Sequence, residues 1–371
     1  MILRPLRVLC VTSAVLVCAA LIPAVVLAEA VRIGISAPLS GVQAAAGDDV
    51  VRHLRSAIDD MNMGSEFGGH RVELIVHDDA YDPERTQKNV RALIDTGRVH
   101  LLIGQIGSAN IAAALAAARG SGVSLFAPLA GPSSIYGEGM QPAVIALRAS
   151  YPEEAAQQAK ILTSMGVQRV AIVYQDDAFG QDVLGGWRRA VAAPESPIEI
   201  VAAAPLSRGD TNVQRALQRA LSQRPDAVVL PLAGSLATQA ARLVREQRLV
   251  PVLMSVAITS ESIADLGGAT GGIVLFSSVM PLPDGRSGSA LLREYGEFRA
   301  RHGLSPSFRG LEAYVAIRAV SSTLRKLKSV TPAALGAALA APAQHVVADT
   351  AFRTRAPRRV DVYAITRTGV L

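Results

Sequence analysis

RVELIVHDDAYDPERTQKNVRALI, residues 71–94, decides the fold. Arg71–His77 alternates apolar and polar side chains, as a strand with one buried face does, and ends at Asp78-Asp79. Pro83 then opens a helix that runs to about Asp95, in the position where proline costs least. Strand, short polar loop and amphipathic helix make half of a βαβ unit. The same alternation continues outward in both directions. Upstream, Val31–Ser36 reads as an apolar strand, and Asp48–Met63 as a helix with Val51, Leu54, Ile58 and Met61 on one face. Downstream, Val99–Gly104 reads as a buried strand, Ala109–Arg119 as an alanine-rich helix and Val123–Phe126 as a strand.

After Arg148 the pattern restarts. Glu153–Met165, Phe179–Ala192, Thr211–Ser222 and Leu236–Gln247 read as helices, between strands at Arg169–Tyr174, Ile198–Ala203, Asp226–Leu230, Val252–Ser255 and Gly272–Ser277. Two or three helices follow between Ser289 and about Ala340, then a closing strand at Val360–Thr366. The expected class is α/β, with two doubly wound parallel-sheet lobes and right-handed crossovers. A length of 371 residues suits two domains. The late helices have no strand of their own and must pack on one lobe, so the chain is expected to cross between lobes more than once. The expected division is a leader at 1–30, one lobe from 31–148 plus about 278–350, and a second from 149–277 plus about 351–371.

The leader has three parts. Arg4 and Arg7 form a basic start, Val8 to Ile22 is uncharged and mostly apolar, and Pro23 leads to Ala28-Glu29-Ala30, a small-x-small cleavage pattern. Cleavage after Ala30 or Ala28 and export to the periplasm are expected; an uncleaved membrane anchor is the alternative, since Val8 to Ala28 is 21 uncharged residues. Cys10 and Cys18 are the only cysteines and both lie in the leader, so the mature chain is expected to hold no disulfide and no cysteine metal site. A chain of this length buries enough surface to fold without cross-links.

Composition excludes further classes. Half of the residues are hydrophobic and 18% charged, which is not the signature of disorder. The formal charge of +6 comes mostly from scattered arginines, and a nucleic-acid surface would need a basic stripe. No phosphate loop, dinucleotide glycine motif, nucleophile elbow or His-Glu-x-x-His is present. The six histidines are dispersed; His53, mid-helix beside Arg52, reads as part of a solvated face. Adjacent carboxylates such as Asp78/Asp79 and Asp176/Asp177 point to opposite sides of an extended chain and cannot work as a facing pair. The expectation is a non-enzyme without cofactor or metal. Ligands of open α/β sheets bind beyond the carboxyl ends of the strands, and two lobes facing each other form a cleft there.

Several segments resemble periplasmic solute-binding proteins of the branched-chain amino-acid (Leu/Ile/Val-binding) type, which feed ABC importers. They are VRIGISAPLSGVQAAAGDD (31–49), GGHRVELIVHDDAYDPERTQKNVRALI (68–94), HLLIGQIGSANIAAAL (100–115), GVSLFAPLAGPSSIYGE (122–138), LRASYPEEA (147–155) and VAIVYQDDAFGQDVLGG (170–186), in the family's order. The likeness weakens after about Gly285. It implies a type I periplasmic-binding fold whose lobes close on a small molecule, a monomer read by a permease in the inner membrane. In the family, loops after the third and fourth strands of the first lobe hold a carboxylate and part of an ammonium, while the second lobe supplies an aromatic and an acid.

Carried over by position, the resemblance implies that Ser108, Leu129, Ala130, Gly131 and Phe179 face the ligand, with Tyr151, Gln175, Ala46 and Val256 as further cleft candidates. Ser108 is also a natural helix cap, Tyr151 also suits hinge packing, and Gln175–Asp177 could form only their loop's own turn. Arg148 tempts as an anion partner, although a strand-end arginine more often pairs with a nearby aspartate. The lone Trp187 reads as lobe packing. Four positions depart from the amino-acid pattern: Gly131 stands where a threonine holds the ligand, Ala46 where an aromatic covers it, Phe179 where a tyrosine is usual, and no carboxylate falls near Val256 and Ala257. A buried ammonium without counter-charge is costly. The expected ligand is therefore an amino-acid-like molecule or, on those departures, an organic or aromatic carboxylate. A periplasmic sensor of the same fold, and an enzyme using the cleft, are the alternatives.

Overall fold

The computed structural model describes residues 30–137, 144–207, 210, 212–247, 252–254, 266, 273–283, 288–366 and 369–370. The leader, with both cysteines, lies outside them, as do Val256 and Ala257.

Val31–Ala37 (β1) is apolar almost throughout and buried on both sides, as a central parallel strand must be. It pairs in parallel with Val72–Asp78 (β2) and Leu101–Ile103 (β3). Ser124–Phe126 (β4) and Val144–Ile145 (β5) complete a five-stranded sheet in the order β2-β1-β3-β4-β5. Its helices are Ala44–Met63 (α1), Pro83–Asp95 (α2) and Ser108–Ala118 (α3). The α2 start follows from three residues: Asp82 accepts from Glu84 N at 2.8 Å, and Pro83 supplies the first turn.

The second unit begins with Tyr151–Ser164 (α4), opened by a capping box in which Ser150 and Glu153 satisfy each other's backbone N–H. It continues through Arg169–Gln175 (β6), Ala178–Val191 (α5), Glu199–Leu206 (β7), Gln214–Leu221 (α6), Ala227–Leu230 (β8), Ser235–Gln247 (α7), Val252–Met254 (β9) and Val274–Ser278 (β10). The chain then returns to the first sheet with Ala290–His302 (α8), Phe308–Leu324 (α9) and Pro332–Ala340 (α10). A hairpin follows, Gln344–Val347 (β11) with Thr350–Arg353 (β12). Asp361–Thr366 (β13) and Gly369–Val370 (β14) finally join the second sheet antiparallel, giving the order β14-β13-β10-β9-β8-β6-β7. The molecule is thus two α/β lobes, and the chain passes between them after β5, after β10 and before β13.

The late helices pack on the first lobe. The α9 helix is buried nearly all round, which suits a helix sandwiched between α1 and its own neighbours. Its partner α1 carries His53, which is fully buried rather than solvated. The ring is satisfied there: Nδ1 meets the Asp49 carbonyl at 2.8 Å, and Nε2 meets the Tyr295 hydroxyl at 3.0 Å. The apolar residues around His53 are spaced so that it falls inside their stripe, while Arg52 faces water. The β11–β12 hairpin escapes a reading of the sequence because its turn uses Ala348, with φ +52°, and Asp349 instead of Asn-Gly. Asp349 also caps α8 from a distance, accepting from Ala290 N at 2.7 Å and Leu291 N at 3.1 Å. These bonds hold its carboxyl well below the usual range.

One apolar cluster runs through both lobes, from Leu93 and Ile111 of the first to Trp187 and Val229 of the second, with Ala130, Tyr151 and Phe179 between them. Each fully buried aliphatic or aromatic side chain there contributes about 1.5–3 kcal/mol. The lobes are also tied at the rim, where Ser133 N and Oγ donate to Asp182 of α5 at 2.6 and 2.7 Å.

Candidate functional site

A cleft partly open to solvent lies where the lobes face each other. The carboxyl ends of β1, β3 and β4 deliver the first wall. After β3, Gly107 adopts φ +94°, and a Cβ there would sit 2.6 Å from the Tyr81 ring, so only glycine lets the chain turn under that ring. Ser108 follows as the first residue of α3, with Gly107 in the cap position. The first N–H groups of α3, which have no acceptor within the helix, therefore open beside Ser108. Ser108 Oγ and the Tyr151 hydroxyl share a long contact of 3.5 Å.

Leu129 and Ala130 line the cleft beside them. Gly131 does not. A Cβ at Gly131 would lie 2.6 Å from the Ala149 carbonyl, and Gly131 O accepts from Tyr151 N at 2.8 Å. Two segments pass so closely that a threonine has no room, which explains the departure from the amino-acid pattern. Ala46 is buried in α1 away from the cleft, whose rim is lined instead by Gln43.

From the second lobe come Tyr151 and Phe179, rings at 5.1 Å and 65° to each other, together with Ala233. Phe179 is held by Asp177, whose Oδ1 accepts from Phe179 N at 3.0 Å and Gly180 N at 3.2 Å. Gln175 is turned into the same loop: its side chain donates to Asp177 and does not line the cleft. Burial pushes the Tyr151 hydroxyl up to about 12, so it stays a neutral donor. Among the residues that the structure describes, those brought together are Ser108, Leu129, Ala130, Tyr151 and Phe179.

Reading the sequence misses a third group: Phe308, Arg309 and Glu312 from the start of α9, Ser277 to Val279 from the end of β10, and Tyr81. Phe308 packs edge-on against Phe276 at 5.6 Å. Arg148 also lines the cleft, and its partner is not an aspartate nearby but Glu312, at 3.8 Å. Glu154, beneath, accepts from Ser277 Oγ at 3.0 Å; Gln158 donates to Ser277 at 2.7 Å and accepts from Trp187 Nε1 at 3.1 Å. Burial raises the Glu154 carboxyl to about 7, against the pull of Arg148. Burial likewise raises Glu312. Among the described residues no group of three or more His, Cys, Asp or Glu is arranged to hold a metal.

The model of the periplasmic binding protein family matches residues 30–361. The chain belongs to that family. An amino acid binding protein of Pseudomonas aeruginosa is 22% identical over 324 residues, 82% of this chain and 80% of that one. The Leu/Ile/Val-binding protein of Escherichia coli aligns over only 42% of its own length, at 25% identity. Among solved structures, a substrate-binding periplasmic protein from Ralstonia solanacearum is 26% identical with a TM-score of 0.81, covering 92% of this chain and 99% of that one. A solute-binding protein of an ABC transporter from R. palustris, solved with benzoate, has the same TM-score of 0.81 at 18% identity, covering 92% of this chain and 95% of that one. The fold is thus that of the type I binding proteins related to the Leu/Ile/Val-binding group. Family membership makes the chain a non-catalytic solute-binding protein of the periplasmic kind, closing on a small molecule and serving an ABC permease.

Proposed function

We propose that this protein captures a small organic acid with an apolar or aromatic body, closes its lobes on it and hands it to an inner-membrane permease as a monomer. A cleaved leader that ends at Ala28 or Ala30 would carry it to the periplasm. The observation that carries the ligand class is the pairing of a helix start at Ser108 with aromatic walls, Tyr81, Tyr151, Phe179 and Phe308. Backbone N–H groups at a helix start favour an anion, and the rings favour a flat or branched hydrocarbon body. The carboxylate in the cleft wall, Glu312, faces the Arg148 guanidinium at 3.8 Å, so an ammonium brought to it would meet a like charge. Benzoate in the R. palustris relative is in keeping with this reading.

Closure does work only to the extent that the ligand binds the closed cleft better than the open one. The decisive experiment is mass spectrometry of the ligand released from freshly purified protein, followed by calorimetry with benzoate, hexanoate, leucine and valine. An organic acid is expected in the extract and among the tight binders. Leucine bound more tightly than every acid would overturn the reading.

A further inference from the structure

The charged floor of the cleft is left incomplete by the protein itself. Arg148 is 3% exposed, its Nε is buried without an acceptor, and its one ion pair among the described residues is the loose 3.8 Å contact with Glu312. No hydrogen bond to a described residue engages its guanidinium. Arg309, half-buried on the first turn of α9, faces the same space and has no ion pair within 4.0 Å among the described residues. Burial and the neighbouring Arg148 guanidinium both push Arg309 below its ordinary basicity. Glu312 acts on both guanidinium groups, Glu154 on Arg148 and Asp49 on Arg309, yet among the described residues no hydrogen bond joins any of these carboxylates to either guanidinium. Buried charges persist only where hydrogen bonds and counter-charges satisfy them. An acid that enters the cleft can supply the acceptors these donors lack.

This floor is distinct from the Ser108 end. Helix α3 packs on the face of the first sheet that holds Leu102 and Leu125, whereas α9 packs on the opposite face with Ile33 and Phe126. The two helix starts therefore reach the cleft from either side of the sheet's edge. We propose that Arg309 and Arg148 form a second anion-reading subsite, so that the ligand is a two-ended acid: one acidic group at Ser108, another at the arginines, and an apolar body spanning the gap. Guanidinium groups suit this task because their planar fork matches a carboxylate with two parallel hydrogen bonds. Glu312 serves to orient Arg148. This proposal rests on the organic-acid reading above and narrows it to diacids.

The test compares matched acids, benzoate with terephthalate and hexanoate with adipate, by calorimetry on the mature protein, with leucine as control. The diacid of each pair is expected to bind on the order of tenfold more tightly or better, as hydrogen bonds to a charged group require. In Arg309→Gln that ratio should fall severalfold, because the second acid loses one of its two guanidinium partners. In Ser108→Ala both members should weaken while the ratio is kept. Thermal unfolding checks that both variants fold. Monoacids that bind as tightly as diacids would overturn the second subsite and leave the organic-acid reading standing. Leucine binding with no acid binding would overturn both, and so would an absence of binding across the panel.

Discussion

Two strand-to-helix loops, VELIVHDDAY at 72–81 and VAIVYQDDAF at 170–179, share a strand, the triplet Asp-Asp-Ala and a closing aromatic. Each delivers its ring to the cleft, one from each lobe. They do so by different backbones. In the first, Pro83 keeps Asp82 extended, at φ −105° and ψ 119°, so α2 cannot begin earlier. Ala80 and Tyr81 fill the gap in left-handed conformations, φ +50° and +64°. Asp79, fully buried, holds them by accepting from Tyr81 N, Ser36 Oγ and Thr86 Oγ1 at 2.9 to 3.0 Å. In the second loop no proline intervenes, α5 begins at once, and Asp177 is an ordinary helix cap for Phe179. Similar letters thus yield a rigid, strained presenter in one lobe and a plain helix start in the other.

The difference can be broken at its strongest point first. Asp79→Ala strands the Tyr81 N–H and the Ser36 hydroxyl in a buried place, while Thr86 keeps the Asp82 carbonyl, and should cost about 3 kcal/mol in a urea titration. Phe179→Ala leaves the fold intact and should weaken the tightest acid ligand by about 2 kcal/mol, close to thirtyfold by calorimetry. Unchanged affinity would remove Phe179 from the site. Asp177→Ala, by contrast with Asp79→Ala, loses a cap and the acceptor of the Gln175 side chain and should cost about 1–2 kcal/mol of stability. Equal losses at the two aspartates would erase the distinction between the loops.

The smallest effect is a pH dependence within the first loop. Burial opposes ionisation of Asp78, but hydrogen bonds from Ser40, Ala80 and Leu39 outweigh it and hold the carboxyl at about 2. Its stabilisation is complete above the ordinary value of 3.8 and is lost as pH falls through about 2. Asp79 is shifted the other way by burial, so its contribution is complete below the ordinary value and is lost as pH rises through the raised one. Asp78→Asn should therefore flatten the loss of stability between about pH 4 and 2, measured by denaturant titration at stepped pH. A slope identical to wild type would show that these bonds do not favour the ionised form.

The alternation of strands and helices was legible because its signals are local. Pro83 after Asp82, and Ser150 three residues before Glu153, mark helix starts by chemistry that operates within one turn. Ser108 and Phe179 came to notice through the family resemblance and Tyr151 through its place at a crossover, and all three line the cleft. Arg309 and Glu312 carry no such mark. They reach the cleft only because α9 packs on α1, a pairing across more than two hundred residues. Arg148 was visible as a residue but not as a pair, since its partner comes from that same helix. The exclusion of a side chain at Gly131 likewise depends on where residues 149–151 pass.

The lone indole of the chain gives this molecule a built-in optical reporter. Trp187 is completely buried, and its ring nitrogen is linked through Gln158 to Ser277, a residue of the cleft wall. A shift of that wall alters the polarity the excited ring senses, so ligand entry can be followed as an emission change, without a dye and with no second tryptophan to blur the signal.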